Sequence, residues 1–120
     1  MMKDCKKHSV GFKYAFAGIV LCLKNERNMR IHCFVALIVM GVGCYIGLSL
    51  YEWIAILLCI GTVLSAEAFN TAIEKLADYV CDEYNPAIGI VKDVAAGAVL
   101  IISILSLVVG LTILISKLNM

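Results

Sequence analysis

Between residues 9 and 24 apolar side chains recur at helical spacing (Phe12, Phe16, Ile19, Val20, Leu23), with Lys13, Ala17 and Lys24 on the other side. Crossing a bilayer takes about 20 predominantly apolar residues, so residues 9–24 are expected to form an amphipathic helix lying in the interface, lysines toward the headgroups. Residues 25–30 (NERNMR) read as a charged turn or helix break. Three longer apolar runs follow, at 31–50, 53–77 and 93–116, each long enough to span as a helix. Residues 47–53 (GLSLYEW) are expected to make the outer turn, with Tyr51 and Trp53 in the interfacial aromatic belt. The polar segment 78–92, which holds Asp82, Glu83 and the sole proline, Pro86, reads as a loop on the opposite side. Residues 1–8 have no apolar face and are expected to fray. Ala95, Ala96, Gly97 and Ala98 would let helix backbones approach closely. The pattern predicts one all-α, integral-membrane domain over residues 1–120: a surface helix and three transmembrane helices.

Composition agrees, since 62% of the 120 residues are hydrophobic where soluble domains have roughly 45 to 50%, and the mean hydropathy is +0.98. At this length no appended soluble catalytic domain is expected, and any chemistry is expected in or beside the bilayer. A net charge of +1 argues against a nucleic-acid binder, which needs a concentrated basic surface. Lys3, Lys6, Lys7, Lys13, Lys24, Arg27 and Arg30 all precede the first long apolar run, which puts the N-terminus in the cytoplasm by the positive-inside rule. The six cysteines are dispersed, with no CxxC pair, so neither a disulfide framework nor a zinc site is expected. A secretory signal is not expected either, because the triplet at 15–17 precedes the apolar stretch it would have to follow.

Glu67 is the sole charged side chain between residues 53 and 73, and an acid at a spanning helix's centre costs about 2.5 to 3.5 kcal/mol on insertion scales. At 100° per residue Glu67, Asn70, Glu74 and Asp78 share one stripe, running from inside the membrane to the cytoplasmic surface. Such a stripe either glues helices together through hydrogen bonds or builds a site. Glu26, Asn28, Arg30, Lys92 and Asp93 fall at the same membrane level. Carboxylates gathered there would suit Mg²⁺, an oxygen-seeking ion that usually arrives with substrate phosphates. Lys92 near a helix N-terminus suits a phosphate, although Lys92 and Arg30 also read as snorkelling cations. No P-loop, kinase glycine loop or HExxH pattern is present. His8 lies in the tail, and His32 reads as an interfacial polar residue. The residues alone leave an enzyme and an ion carrier both open.

The stretch EAFNTAIE from Glu67 to Glu74, followed by Asp78 and by KDVAAGAVL from Lys92 to Leu100, resembles the prokaryotic diacylglycerol kinase family, which includes undecaprenol kinases of the same fold. The resemblance runs from Gly11 onward. It implies a homotrimer in the bacterial cytoplasmic membrane, using MgATP to phosphorylate a lipid hydroxyl. It further implies that Glu67 is the general base, steadied by Asn70, and that Glu26 and Glu74 hold Mg²⁺. ATP contacts would come from Tyr14, Glu26, Glu74, Glu83, Tyr84, Asn85, Lys92 and Asp93; Asn85 matches more loosely, because a histidine is familiar there. Lipid contacts would involve Glu67, Asn28, Arg30 and Ala96, with the first span and residues 95–98 lining the lipid's access. Residues 26–32 (ERNMRIH) lean toward undecaprenol as substrate, diacylglycerol being the alternative. From another class, a small proton-coupled transporter would also use a buried Glu67, but it would leave the cytoplasmic cluster unexplained.

Overall fold

A computed structural model describes residues 11–119. Lys3, Lys6, Lys7 and His8, named above, lie outside them, as do residue 9, where the surface helix was expected to start, and the expected fraying of residues 1–8. All the regular structure described is helical, in four elements.

The first helix, α1 (Phe12–Asn25), is the short one. Its apolar side is not covered by the rest of the chain, since Phe12 is 87% and Phe16 66% exposed. That face suits a bilayer interface. Its one buried side chain, Cys22, donates from Sγ to Thr71 Oγ1 at 3.6 Å and so ties α1 to the third helix.

Where a turn is expected over 25–30, the break is a single residue. Glu26 adopts an extended conformation (φ −113°, ψ 114°), and α2 (Arg27–Ile46) starts at once. Arg30 makes this abrupt junction possible, donating from Nη1 to the Leu23 and Lys24 carbonyls at 3.0 and 2.8 Å. These are the carbonyls that a helix end leaves without partners.

α2 ends at Gly47, whose φ of +82° is a left-handed cap that a side chain would strain. Ser49 and Glu52 then form a reciprocal capping box at the start of α3 (Leu50–Val80). The outer turn is therefore shorter than expected, and Trp53, in the first turn of α3, turns toward α2. Its ring packs on Gly43 of α2, where an added Cβ would lie 2.9 Å from Trp53 Cη2 and 2.9 Å from Leu48 Cδ1. Tyr51, by contrast, is exposed.

α3 and α4 (Pro86–Leu118) have 31 and 33 residues, about 46 and 50 Å of helix against a hydrocarbon core of about 30 Å. Most of the segment expected as a loop over 78–92 is thus helical, and only residues 81–85 connect. Polarity does not stop a helix: α3 runs on through Asp78, Tyr79 and Val80, α4 takes in Ala87 to Lys92, and the two helices pack along each other. Asn85 caps α4, accepting from the Ala87 N–H at 2.9 Å, with Pro86 in the first turn. Two ion pairs fasten α4 to α3: Lys92 with Asp78 near its start, and Lys117 Nζ with Glu52 Oε1 at 2.9 Å near its end. Close backbone approach over 95–98 is limited to Ala95, which is buried; Ala96 and Ala98 are exposed, and a Cβ on Gly97 would meet nothing.

Candidate active site

The buried polar side chains lie on one face of α3. Glu67, Asn70 and Thr71 are 2%, 6% and 5% exposed, and helical geometry brings Glu74 and Ala77 onto the same face. This face turns toward α1 and α2, as the Cys22–Thr71 hydrogen bond records. Among the described residues Glu67 is the largest fully buried side chain. A polar group so enclosed needs a partner, and it has one: His32 Nε2 of α2 lies 3.5 Å from Glu67 Oε1. His32 is therefore more than the interfacial polar residue it was read as, and its pairing was not visible in the sequence. Asn70, one turn on, keeps Oδ1 buried with no hydrogen-bond partner.

Toward the end of α3 the charges converge. Glu74 feels the carboxylates of Glu26, Glu67 and Asp78 and the ammonium of Lys92. The one-residue break between α1 and α2 presents Glu26 to this cluster. Like charges in mutual reach call for a cation, and the donors are all oxygens, which suits Mg²⁺. Among the described residues no three His, Cys, Asp or Glu side chains surround one point. A divalent ion held by Glu26 and Glu74 would thus take its remaining oxygens from water or phosphate, as Mg²⁺ commonly does.

On the other side of His32 runs an apolar groove of about 520 Å³ between α2, α3 and α4, continuing to Lys117. His32, Ala36 and Leu64 lie at its Glu67 end, while Glu67 itself does not line it. From His32 to Ile46, the α2 wall is about 21 Å long. The α4 wall runs from Ser103 to Lys117, so residues 95–98, expected at the lipid's access, do not form it. Asn28, Arg30 and Ala96 also lie off the groove, and one nitrogen of Arg30 is occupied at the α1–α2 junction.

The sequence model of prokaryotic diacylglycerol kinase matches residues 13–114. The chain belongs to this family. It is 39% identical over 107 residues to the undecaprenol kinase of Bacillus subtilis (strain 168), covering 89% of this chain and 87% of that one. It is 35% identical over 102 residues to a diacylglycerol kinase of Synechocystis, covering 84% of this chain and 58% of the relative. With the diacylglycerol kinase of Escherichia coli (strain K12) identity is 25% over 95 residues, covering 79% of this chain and 78% of that one. The protein is accordingly a membrane lipid kinase, a transferase.

Besides Glu26 and Glu74, the family residues expected at nucleotide lie on α1, on the connection between α3 and α4, and on α4. Tyr14 is on exposed α1, with Lys13 Nζ 6.0 Å from its ring centre. Glu83, Tyr84 and Asn85 are exposed on the connection between α3 and α4, and Asn85 is already engaged as the helix cap. On α4, Lys92 is paired with Asp78, while Asp93 is exposed with no hydrogen bond or ion pair among the described residues.

Proposed function

We propose that this protein transfers the γ-phosphate of MgATP to the hydroxyl of a membrane lipid alcohol, undecaprenol, giving undecaprenyl phosphate. The observation that carries the reading is the buried Glu67 and its His32 partner, standing between an apolar groove and a cluster of carboxylates. The groove suits a lipid tail with its hydroxyl toward His32. The cluster suits a nucleotide arriving from the cytoplasm. Phosphoryl transfer asks mainly for positioning and for neutralisation of phosphate charge, so a few converging side chains suffice without a soluble nucleotide fold.

Glu26 and Glu74 would hold Mg²⁺, and when bound the ion neutralises the phosphates as charge develops. Lys92 would leave or share Asp78 to meet a phosphate, with Asp93, Tyr14, Glu83 and Tyr84 around the nucleotide. Glu67 supplies the carboxylate that drives deprotonation of the lipid hydroxyl, and Asn70, with its unsatisfied oxygen, steadies that end of the site. Undecaprenol is favoured by the 39% identity to an undecaprenol kinase. The diacylglycerol reading, giving phosphatidic acid, rests on the family and on the Synechocystis relative. We also place the N-terminus in the cytoplasm and the protein in the bacterial cytoplasmic membrane, on the strength of the basic residues before the first span.

The test is transfer of labelled γ-phosphate from MgATP to undecaprenol and, separately, to diacylglycerol, in mixed micelles. Wild type is expected to label undecaprenol, and Glu67→Gln to lose at least about 100-fold in rate. Labelling of diacylglycerol alone would shift the substrate to the second reading. Full activity of Glu67→Gln would remove Glu67 from the chemistry.

A further inference from the structure

The dimensions of the apolar groove restrict what can fill it. Its volume of about 520 Å³, spread along a wall of about 21 Å, leaves a mean cross-section of about 25 Å². A hydrocarbon chain whose carbons keep about 4 Å from their neighbours fills roughly 20 Å². One chain fits, and two do not. A single leaflet contributes about 15 Å of hydrocarbon, so a chain that fills the groove continues past the bilayer midplane. Between His32 and Lys117 no lining side chain is charged, and the hydroxyl oxygens of Ser103 and Ser106 are buried.

Position along the groove follows from the register of α3 and α4. The Lys92–Asp78 and Lys117–Glu52 pairs imply the same antiparallel alignment, which sets Ser103 level with Glu67 and Gly110 level with Cys59 and Ile60. Gly110 therefore stands about 10 Å along the groove from the level of Glu67, half-way to Lys117. Two glycines line the groove, and they differ. At Gly43 the room for a side chain is taken, since a Cβ would come within 2.9 Å of both Leu48 Cδ1 and Trp53 Cη2, whereas a Cβ on Gly110 would meet nothing within 4 Å. Helix interiors disfavour glycine, and no atom of the chain uses the room that Gly110 leaves. From the single-chain cross-section, the length and this gap, we propose that the groove receives one polyprenyl chain along its length. Gly110 is then a specificity-determining residue, keeping the far half of the groove open to alcohols longer than about two isoprene units. This deepens the kinase reading above and rests on it. The proton-accepting role stays with Glu67, and Gly110 acts on the tail alone. A diacylglycerol, with two chains, could place only one of them in the groove.

The test is kcat/KM for a ladder of prenyl alcohols, from geraniol, which extends about 10 Å, up to undecaprenol. The purified full-length protein is assayed in mixed micelles with labelled MgATP. In wild type kcat/KM is expected to rise with chain length until about 21 Å of groove is filled, and then to level off. Gly110→Leu, which fills the gap, is expected to stop gaining at about 10 Å. On undecaprenol it should lose at least about tenfold, because even one methylene lost from an apolar pocket is worth about that much. Its KM for MgATP should stay within about twofold of wild type, since uniform binding of the nucleotide is untouched. Gly110→Ala is expected to show a smaller loss of the same kind, and it serves if the leucine variant does not fold. Val108→Phe adds bulk to α4 at a position that is 55% exposed and off the groove, and it should leave the ladder as in wild type. A Gly110→Leu ladder that matches wild type, or one lowered by the same factor at every length, overturns the proposal while the kinase reading stands. A wild type that labels no prenyl alcohol overturns the undecaprenol reading itself, and the proposal with it.

Discussion

Glu26 and Glu74 come from different parts of the chain, one at the break between α1 and α2 and the other near the end of α3, yet their charges reach each other. Two carboxylates so placed repel unless a cation lies between them. If they hold Mg²⁺, Glu74→Gln removes one anionic ligand, and the Mg²⁺ concentration giving half-maximal velocity at fixed ATP is expected to rise about tenfold or more. A Mg²⁺ titration that matches wild type would take Glu74 out of the metal site. The stripe from Glu67 through Asn70 and Glu74 to Asp78 was legible in the sequence because offsets of three, seven and eleven residues return to one helix face. His32 was not, because its partner is 35 positions away on another helix and no periodicity links them. Cys22 is similar: nothing in six dispersed cysteines marks one of them for a polar contact, and its bond to Thr71 depends on how α1 folds back. Arg30 read as a lipid-facing cation, whereas part of its guanidinium closes the end of α1.

At the scale of elements, the apolar runs located the spanning helices well, and their ends were misjudged for identifiable reasons. Hydropathy marks where a helix leaves hydrocarbon, not where it stops, so α3 continues to Val80 and α4 begins at Pro86. The stop signals were present but local: Gly47 in a left-handed conformation, the Ser49–Glu52 box, and Asn85 followed by proline. Asn85 tests which reading of the connection holds. As a cap its loss in Asn85→Ala is expected to cost about 1 kcal/mol, seen as a lower unfolding temperature in detergent. Asn85→Asp keeps the accepting oxygen and should unfold like wild type. A KM for MgATP unchanged in Asn85→Asp would confine the residue to capping, while a raised KM would restore it to the nucleotide side, where the family resemblance put it.

The whole molecule leaves much of its surface for something else to cover. The most apolar window of α4, with a mean hydropathy of 3.0, has none of its residues buried by the chain itself. Apolar side chains rest in lipid at little cost, so their exposure does not by itself require a partner. Small residues on a spanning helix are more informative, because close packing, not hydrophobicity, drives association within a bilayer. One face of α3 presents Gly61, Thr62, Ser65 and Ala66 around a shallow concavity, and a Cβ on Gly61 would meet nothing within this chain. Leu57, Leu58 and Phe69 of α3 and Ile102 of α4 rim the concavity, and Thr62 returns its hydroxyl to the Leu58 and Cys59 carbonyls at 2.8 and 3.0 Å. In the homotrimer that the family resemblance implies, this face would let a neighbouring helix backbone approach closely. Native mass spectrometry in detergent is expected to show about three times the 13.0 kDa of one chain. Gly61→Leu, which fills the concavity without touching the His32–Glu67 pair or the carboxylate cluster, should move the population toward monomer. A wild type that is monomeric overturns the trimer itself. A Gly61→Leu protein that remains trimeric moves the contact to another face, with α4 the next surface to probe.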